Sequence, residues 1–421
     1  MNMERKSSFV VISDFRTTPL IAAISIARKK VLTGNVEIVV SSRTIYTNDY
    51  GDFIPTTLKL FKLFILRLFL KCTIVAEDSN TKVNDEFTLG IKSSLLSITC
   101  DSQASENTYP VLYSQLVNLS KGSIEVANFI INKRNNAEIY IFNGRLSSTY
   151  SITNLYKKNF DIYYYEYSSD PKKYVLYPFA IHDDYLKGLS LINYKNNLLI
   201  SKPILSNMSE MTKSAKLNNL YVSRYKTLSD KIFDVVVFLG SDHEYSHVSA
   251  PKTGTIAIGN LQLVKEVIKK YESESECSIA VRAHPNQIFD RNFKTTNQII
   301  EEICREKNIT FYPPNSSVSS YDLISKSKIV AVDVSSIGFD AVYLGKPVDV
   351  FGNSCLKTIL DYAPIDIASN ATLLANYVAE NMSISDFLFL ERFEPVFNII
   401  NQIMLRVESV IYRKVSGAEK S

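Results

Sequence analysis

Apolar and polar positions alternate along the first half of the chain in segments of two lengths. Short apolar runs predict buried strands, and longer segments with apolar residues at every third or fourth position predict helices. The predicted strands are Phe9–Ser13, Val36–Ser41, Cys72–Ala76, Glu138–Phe142 and Asp161–Tyr165, and the predicted helices are Leu20–Leu32, Thr57–Leu70, Tyr109–Lys133 and Ile152–Lys158. This order predicts a parallel sheet with right-handed crossovers.

The same alternation resumes after an irregular middle stretch. The predicted strands there are Asp234–Leu239, Cys277–Val281, Ile309–Phe311, Ile329–Val332 and Val348–Phe351. We therefore expect an α/β fold with two Rossmann-like domains whose parallel sheets face a cleft. The predicted boundaries are residues 1–190 for the N-terminal domain, 191–230 for a linker, 231–365 for the C-terminal domain, and 366–421 for helices that brace the N-terminal domain.

Composition excludes some classes of function. The formal charge of +4 over 421 residues is too small to indicate nucleic-acid binding, and no basic run is interleaved with aromatic residues. Five cysteines lie scattered without CxxC spacing. An odd number of unclustered thiols is typical of a reduced protein, so we expect a cytoplasmic location. The N-terminal residues lack the uninterrupted apolar region of a signal peptide.

The most hydrophobic segment, residues 58–76, contains four basic residues, Lys59, Lys62, Arg67 and Lys71. A membrane span would carry these charges into hydrocarbon at a few kcal/mol each, so we expect none. What remains is a cationic amphipathic helix whose aromatic and leucine face either packs on the sheet or rests on anionic lipid. Packing is favoured because a strand follows directly. A peripheral contact with the inner membrane is the alternative.

Two motifs in the last third place polar groups where a strand meets a helix. Arg282-Ala283-His284-Pro285-Asn286 follows one predicted strand, and Val334-Ser335-Ser336-Ile337-Gly338-Phe339-Asp340-Ala341, followed by Leu344-Gly345-Lys346-Pro347, follows another. Ser335 can cap the next helix, and such a helix start attracts phosphate. Ligands of open α/β sheets bind along this carboxyl edge. The alternative for each motif alone is an ordinary N-cap and a His-Pro turn.

The order of these motifs resembles the nucleotide-binding half of bacterial GT-B glycosyltransferases that use CMP-activated acidic sugars. That group includes the capsule and lipopolysaccharide transferases of 3-deoxy-manno-octulosonic acid (Kdo) and several sialyltransferases. The resemblance covers roughly residues 230–355. It implies that His284, Pro285, Ser335, Ser336 and Lys346 bind the nucleotide. Where the family often has Glu, this chain has Asp340, whose carboxylate reaches less far.

The resemblance is closest to the retaining β-Kdo transferases, and it implies two catalytic carboxylates. Asp242, after the strand exit at Gly240, corresponds to the nucleophile, and Glu166, after a strand of the first domain, corresponds to the acid/base. Closure of the cleft would bring them together. The alternative for each is an N-cap or a solvated loop carboxylate.

Basic side chains suit a donor that carries a carboxylate. Asn143-Gly144-Arg145 follows a strand, and an arginine holds a carboxylate with paired hydrogen bonds. Arg282 is a second candidate of this kind, and a structural role is the alternative for both arginines. The loop that begins at Asp14 is a candidate for acceptor binding.

No metal or cofactor is expected. The chain has no Asp-x-Asp motif in a suitable loop. His243 and His247 do not lie in a predicted helix, and no third ligand accompanies them. Hydroxyls, an imidazole and a helix start can stabilise a single departing phosphate without a metal. The CMP-sugar would be a substrate.

These inferences predict a glycosyltransferase of surface-polysaccharide assembly that moves Kdo or a related ulosonic acid from a CMP-sugar to a glycan or lipid-linked glycan. Retention of anomeric configuration is the leading version. The alternatives are an inverting sialyltransferase and, from another class, a non-catalytic nucleotide- or glycan-binding scaffold subunit.

Overall fold

The computed structural model describes most of the two sheets and their helices. The described residues are 7–47, 54–99, 101, 103–134, 137–153, 155, 160–167, 173–177, 231–241, 258–272, 277–285, 287, 293–335, 337–354, 356–357, 360 and 379–381. The chain divides into two compact units, the first comprising Met1–Ile98, Ser105–Ala180 and Ala379–Ser421, the second Thr99–Ala104 and Ile181–Val378.

The first unit contains a seven-stranded sheet in the order β12-β6-β5-β4-β1-β2-β3. Its strands are β1 Ser8–Val11, β2 Val36–Ser41, β3 Cys72–Val75, β4 Glu138–Phe142, β5 Asp161–Tyr167, β6 Lys173–Tyr177 and β12 Ala379–Asn381. The first five are parallel, whereas β6 and β12 pair antiparallel. The short strand β12 pairs with β6 at the outer edge of this sheet.

Helices connect the strands of the first unit. They are α1 Thr17–Val31, α2 Ser42–Tyr46, α3 Thr56–Phe69, α4 Thr88–Thr99, α5 Pro110–Lys133 and α6 Tyr150–Thr153, with a 3-10 turn at Asp85–Phe87. The sequence pattern did not predict α2, α4, β6 or β12. The elements that were predicted for this unit occur with the predicted ends or with ends shifted by a few residues, apart from the predicted helix Ile152–Lys158, of which the structure describes only the start.

The second unit contains a parallel five-stranded sheet in the order β11-β10-β7-β8-β9. Its strands are β7 Phe233–Phe238, β8 Ile279–Arg282, β9 Thr310–Tyr312, β10 Ser327–Val332 and β11 Val348–Val350, and its helices are α7 Asn260–Tyr271, α8 Phe293–Glu306, α9 Ser320–Ser325 and α10 Ile337–Tyr343. The expectation of an α/β fold with two parallel-sheet domains is confirmed. The predicted linker 191–230 and the predicted helical region 366–421, apart from Ala379–Asn381, lie outside the described residues.

The central strands are apolar along almost their whole length because helices cover both faces of each sheet. In β7, Val235, Val236 and Val237 are fully buried, although their side chains point to alternate faces. Val236 lies opposite Ala280 of β8 on one side and Val330 of β10 on the other. Burial on both faces fixes this register, since a slip by one residue would exchange the faces.

Helix α3 divides its apolar residues between two faces. Leu63 and Leu66 pack into the core, and with them Lys59 and Lys62 are buried. The Lys59 ammonium donates to the carbonyls of Thr44 and Thr47 at 3.0 and 2.8 Å, and Lys62 donates to the carbonyl of Phe15 at 2.9 Å. Burial lowers the pKa of Lys59 to about 8. Within the described ranges, no helix is both long and apolar enough to cross a bilayer.

A buried ion pair joins the strand ends of β2 and β3 to helix α5. The Arg43 guanidinium contacts both Glu125 carboxylate oxygens at 3.0–3.1 Å, and these side chains are 9% and 4% exposed. Glu125 also accepts the backbone N–H of Asp78 at 2.9 Å. The pair therefore connects three segments of the first unit, namely the residues after β2, those after β3 and helix α5.

We expect Glu125→Ala to lower the free energy of unfolding by about 3–5 kcal/mol, because it removes the buried carboxylate of the pair and leaves Arg43 only the more exposed Glu77 carboxylate at 3.4 Å. Chemical denaturation followed by tyrosine fluorescence measures this, since the chain has no tryptophan. The control is Glu272→Ala, which breaks an exposed pair with Lys307 and should cost less than about 1 kcal/mol. Equal losses in the two variants would contradict a stabilising role for the buried pair.

Candidate functional site

The carboxyl edge of the five-stranded sheet holds the best-defined candidate site. Strand β7 is the first of this unit along the chain, and its successors lie on both sides: β8 and β9 on one, β10 and β11 on the other. Strand order reverses between β7 and β10, and ligands of open α/β sheets bind outside the strand ends at such a switch point. The residues after β7, β8 and β10 are therefore the first to consider.

The exit of β7 is held by two buried amide side chains. Asn260, at the start of α7, accepts the Gly240 N–H at 2.9 Å and donates to the Gly240 carbonyl at 2.9 Å. Gln287 donates to the same carbonyl at 2.9 Å. Both amides are at most 2% exposed, and buried amides are stable only when hydrogen-bonded. The clamp therefore fixes the backbone at the point where the chain leaves the sheet.

This clamp positions a serine and a histidine from neighbouring strands. Ser241 follows Gly240, and its Oγ lies 3.2 Å from Nδ1 of His284, which follows β8. The His284 N–H donates to the Gln287 side chain at 3.1 Å, so one amide holds both strand ends. His284 is half-buried while Ser241 is fully buried. An imidazole held in this way can donate a hydrogen bond to a phosphate at the sheet edge.

Asp333, directly after β10, is a site residue that the sequence motifs did not single out. It is fully buried, and its Oδ2 accepts the N–H of Gly259 at 2.9 Å. Within the part of the chain that the structure describes, Oδ1 has no hydrogen-bond partner. Burial raises the pKa of Asp333, although backbone hydrogen bonds from Gly259 and Ile258 oppose the shift. Its signal in the sequence is an acidic residue at the end of an apolar strand.

The serine motif begins two residues beyond Asp333. Ser335 is half-buried, and its carbonyl accepts the Gly338 N–H at 3.2 Å. Helix α10 begins at Ile337, so Ser336, which lies outside the described residues, directly precedes it. A Cβ on Gly338 would lie 2.5 Å from Leu356 and 3.1 Å from Val332. Glycine at this motif position thus permits the helix to pack closely on the end of β10.

The remaining predicted residues of this unit have diverse surroundings. Arg282 is 2% exposed and donates to the Pro313 carbonyl after β9. Pro285 is half-buried next to His284. Asp340, on α10, accepts from the hydroxyl of Tyr321 at 3.3 Å.

Lys346 lies at the opposite edge of the sheet. Its ammonium donates to the carbonyls of Ser325 and Ser327 at 2.7 and 2.8 Å, where β10 begins. His284 and Ser335 follow strand ends at the carboxyl edge. The length of β10 separates the two edges, and its six residues rise about 3.3 Å each. The structure therefore does not bring Lys346 together with the other predicted nucleotide ligands.

In the first unit the structure joins two predicted residues. The Asn143 side-chain amide, after β4, donates to the half-buried carboxylate of Glu166 on β5. Asn143 and Gly144 have φ of 60° and 84°, and a Cβ at Gly144 would lie 2.5 Å from the Tyr164 ring. Glycine adopts this left-handed conformation without cost, whereas Asn143 carries a modest strain there, and strain of this kind clusters at functional sites. The nearby Arg145 guanidinium donates to Ser93 Oγ at 3.3 Å.

The loop after β1, a candidate for acceptor binding, is held by hydrogen bonds between its own residues Asp14 and Arg16. The buried Asp14 carboxylate accepts the backbone N–H of Arg16 at 2.8 Å and two guanidinium bonds at 2.8 and 2.6 Å. The Arg16 side chain remains 26% exposed.

Asp242, the predicted nucleophile, and the two histidines at 243 and 247 lie outside the described residues. Among the residues that the structure does describe, no three His, Cys, Asp or Glu side chains are grouped to hold a metal ion.

We expect the stability of the protein to depend on the charge of Asp333. Its pKa is higher folded than unfolded, so the folded state binds more protons between the two values and stability falls as pH rises through that interval. Asp333→Asn keeps an acceptor for Gly259 and removes the buried charge. The stability of the variant relative to wild type should therefore increase as pH rises above about 4, the ordinary pKa of an aspartate, measured by urea denaturation. Glu302→Gln, exposed on α8, is the control. A difference that is flat or falls with pH would contradict the assignment.

Comparisons with known proteins give distant structural likenesses. No protein-family model matches the chain, and no curated protein matches it. Among solved structures, the beta Kdo 2,7 transferase KpsC of Thermosulfurimonas dismutans is 21% identical with a TM-score of 0.37, covering 54% of this chain and 69% of that one. The beta Kdo 2,4 transferase KpsC of the same organism is 14% identical with a TM-score of 0.37, covering 56% and 78%.

A third similar structure is the UDP-GlcNAc 2-epimerase of Neisseria meningitidis bound to UDP-GlcNAc. It is 11% identical with a TM-score of 0.26, covering 91% of this chain and 98% of that one. Likenesses of this size assign neither a donor nor a reaction. The function of this chain is therefore argued from its own residues.

Proposed function

We propose that this protein is a glycosyltransferase that moves Kdo, or a related ulosonic acid, from a CMP-sugar to a glycan or lipid-linked glycan acceptor in bacterial surface-glycan synthesis. The proposal is supported first by the resemblance of its motifs to CMP-sugar transferases. It is supported independently by the position of those motifs in the second sheet.

One observation carries the proposal. His284 and Ser335 follow the two strands that flank β7. The order in which successive strands join the sheet reverses between β7 and β10. Adjacent strands lie about 4.8 Å apart, so strands β8 and β10 end about 10 Å from each other. That spacing leaves room for one phosphate between the imidazole and the serine hydroxyls. The fixed exit of β7 at Gly240 forms the floor between them.

Charge at this edge suits a nucleoside monophosphate leaving group. The donors here are neutral hydroxyls and an imidazole. Asp333, which directly follows β10, is buried, and burial raises its pKa. Hydrogen bonds from such groups stabilise a phosphate as negative charge develops on it. We propose that Ser241 orients His284, and that His284 donates to the CMP phosphate.

We further propose that transfer proceeds with retention through two carboxylates. Asp242, directly after Ser241, would attack the anomeric carbon, which releases CMP and forms a glycosyl-enzyme. Glu166 would then take the proton of the acceptor hydroxyl as this oxygen displaces Asp242. The amide of Asn143 orients Glu166, and Arg145, close to that pair in sequence, is a candidate to hold the carboxylate of the sugar acid.

The activity is tested with CMP-Kdo and CMP-sialic acid generated in situ, each supplied with a panel of lipid-linked and synthetic acceptors. We expect a product with CMP-Kdo whose anomeric configuration, read by NMR, matches the donor. An inverted product would contradict the covalent mechanism. CMP binding without turnover of either donor would support the scaffold alternative and overturn the enzymatic proposal.

Ser335→Ala combined with Ser336→Ala should weaken CMP binding at least about tenfold, because hydrogen bonds from neutral donors to a charged group are each worth about 1.5–3 kcal/mol. Isothermal titration with CMP measures the affinity. The chain offers a matched control in Ser316-Ser317, a second serine pair that follows β9 at the outer edge of the same sheet. Replacing that pair by alanine should leave CMP affinity unchanged. Unaltered affinity in a folded Ser335/Ser336 variant would exclude this phosphate site.

Asp242→Asn and Glu166→Gln should each lower turnover by at least about a hundredfold while CMP affinity is retained. Intact-mass analysis of the wild type with CMP-Kdo should show a protein heavier by one sugar, and Asp242→Asn should not show it. The control is Glu77→Gln, an exposed carboxylate after β3 in the same unit as Glu166. Near-normal turnover in Asp242→Asn would show that Asp242 is not the nucleophile.

A further inference from the structure

Helix α3 carries a row of large apolar side chains on its outer face. Leu60, Phe64, Leu68 and Phe69, here called the α3 stripe, are 42%, 58%, 59% and 68% exposed. Residues 60, 64 and 68 are spaced by four, so they form one continuous row along the helix. A helix packed on a sheet normally presents polar residues to water, and α3 instead buries two lysines and exposes two phenylalanines.

The surroundings of the α3 stripe are basic. The exposed side chains of Arg67 and Lys71 lie at its C-terminal end. Lys71 pairs with Glu37 of β2 at 3.0 Å, yet its side chain remains 64% exposed. Residues 54–76 contain no aspartate or glutamate, so no acidic side chain of this segment offsets these charges.

The end of helix α1 repeats the same combination. Val31 and Leu32 are 49% and 85% exposed, and Arg28 and Lys29 just before them are exposed as well. Helices α1 and α3 pack into the same core cluster on one side of the sheet. Both lead into neighbouring parallel strands, β2 and β3, so both end at the amino edge of the sheet.

We propose that the α3 stripe, together with the end of α1, docks this protein onto the surface of an anionic phospholipid bilayer. Exposed aromatic and leucine side chains enter the boundary between headgroups and acyl chains, and flanking arginine and lysine side chains bind anionic headgroups. A symmetric contact between two copies of this chain fits less well. The basic side chains of one copy would then lie against the same segment of the other copy, and residues 54–76 offer no acidic side chain to pair with them. The proposal is independent of the donor and of the transfer reaction.

The test is co-sedimentation of the full-length protein with vesicles. Vesicles of phosphatidylethanolamine with about 30 mol% phosphatidylglycerol are compared with vesicles of phosphatidylcholine alone. We expect binding to the anionic vesicles, weaker binding to the neutral ones, and release by about 0.5 M KCl, where screening shortens the reach of the charges. Equal binding to both kinds of vesicle, or none to either, would overturn the proposal.

Variants assign the binding to these residues. Replacing the four stripe residues together by glutamine should lower the partition coefficient about tenfold or more, and Arg67→Gln with Lys71→Gln should reduce binding to anionic vesicles selectively. The control replaces Leu89 and Val111, which are exposed at 42% and 73% on α4 and α5 of the same unit, by glutamine. The control should bind as the wild type does.

Thermal unfolding and light scattering test whether another part of the chain or a second copy of it covers the α3 stripe. The stripe variant should have the wild-type mass and melt close to the wild-type temperature, since the four replaced side chains are 42–68% exposed. A melting temperature several degrees lower would show that another part of the chain covers the stripe, and a dimer that becomes a monomer would show a second copy there. Either result would overturn the proposal.

Discussion

The parallel alignment of β7 between β8 and β10 is the constraint on which the candidate site depends. Three strands with fully apolar interiors can be buried side by side only in one register, because both faces of the sheet are covered. That register brings the residues after the strands to one edge. Ser241, His284 and Asp333 are far apart in sequence, and they become neighbours because the strands before them end together.

Buried polar groups then fix what the sheet has brought together. The amides of Asn260 and Gln287 hold Gly240 from two sides, and Gln287 also holds His284. Removing any one of these groups would leave a buried donor or acceptor unpaired, which costs more than the bond itself contributes. The first unit uses charges for the same purpose, with Glu125 holding Arg43 and the backbone of Asp78. Loop ends next to both sheets are thus defined by polar contacts that the apolar core cannot supply.

The sequence predicted the sheets better than the contacts between their ends. The strands Val36–Ser41 and Glu138–Phe142 occur with the predicted bounds, because a short apolar run between helical segments has few other interpretations. Helix α4 was missed since its serines and threonines obscure the spacing of Ile91, Leu95 and Ile98. Those three positions lie on one side of a helix, and that spacing was the available signal.

Side-chain direction was the least predictable feature. The spacing of α3 indicated a cationic amphipathic helix, yet the ammonium groups of Lys59 and Lys62 reach inward to backbone carbonyls, which long flexible stems allow. Which carbonyls lack partners is a property of the folded loops after β1 and β2, so no local pattern reveals it. The burial of Asp333 and the distance of Lys346 from His284 likewise depend on strand order, which the sequence does not state.

The central claim is that CMP binds at the carboxyl edge of the second sheet. A crystal structure of the protein with CMP tests it most directly. The account predicts the phosphate within hydrogen-bond distance of His284 and of the serines at 335 and 336, beside the clamped exit of β7. A phosphate bound elsewhere, for example at the amino edge near Lys346, with the carboxyl edge occupied only by water, would contradict it.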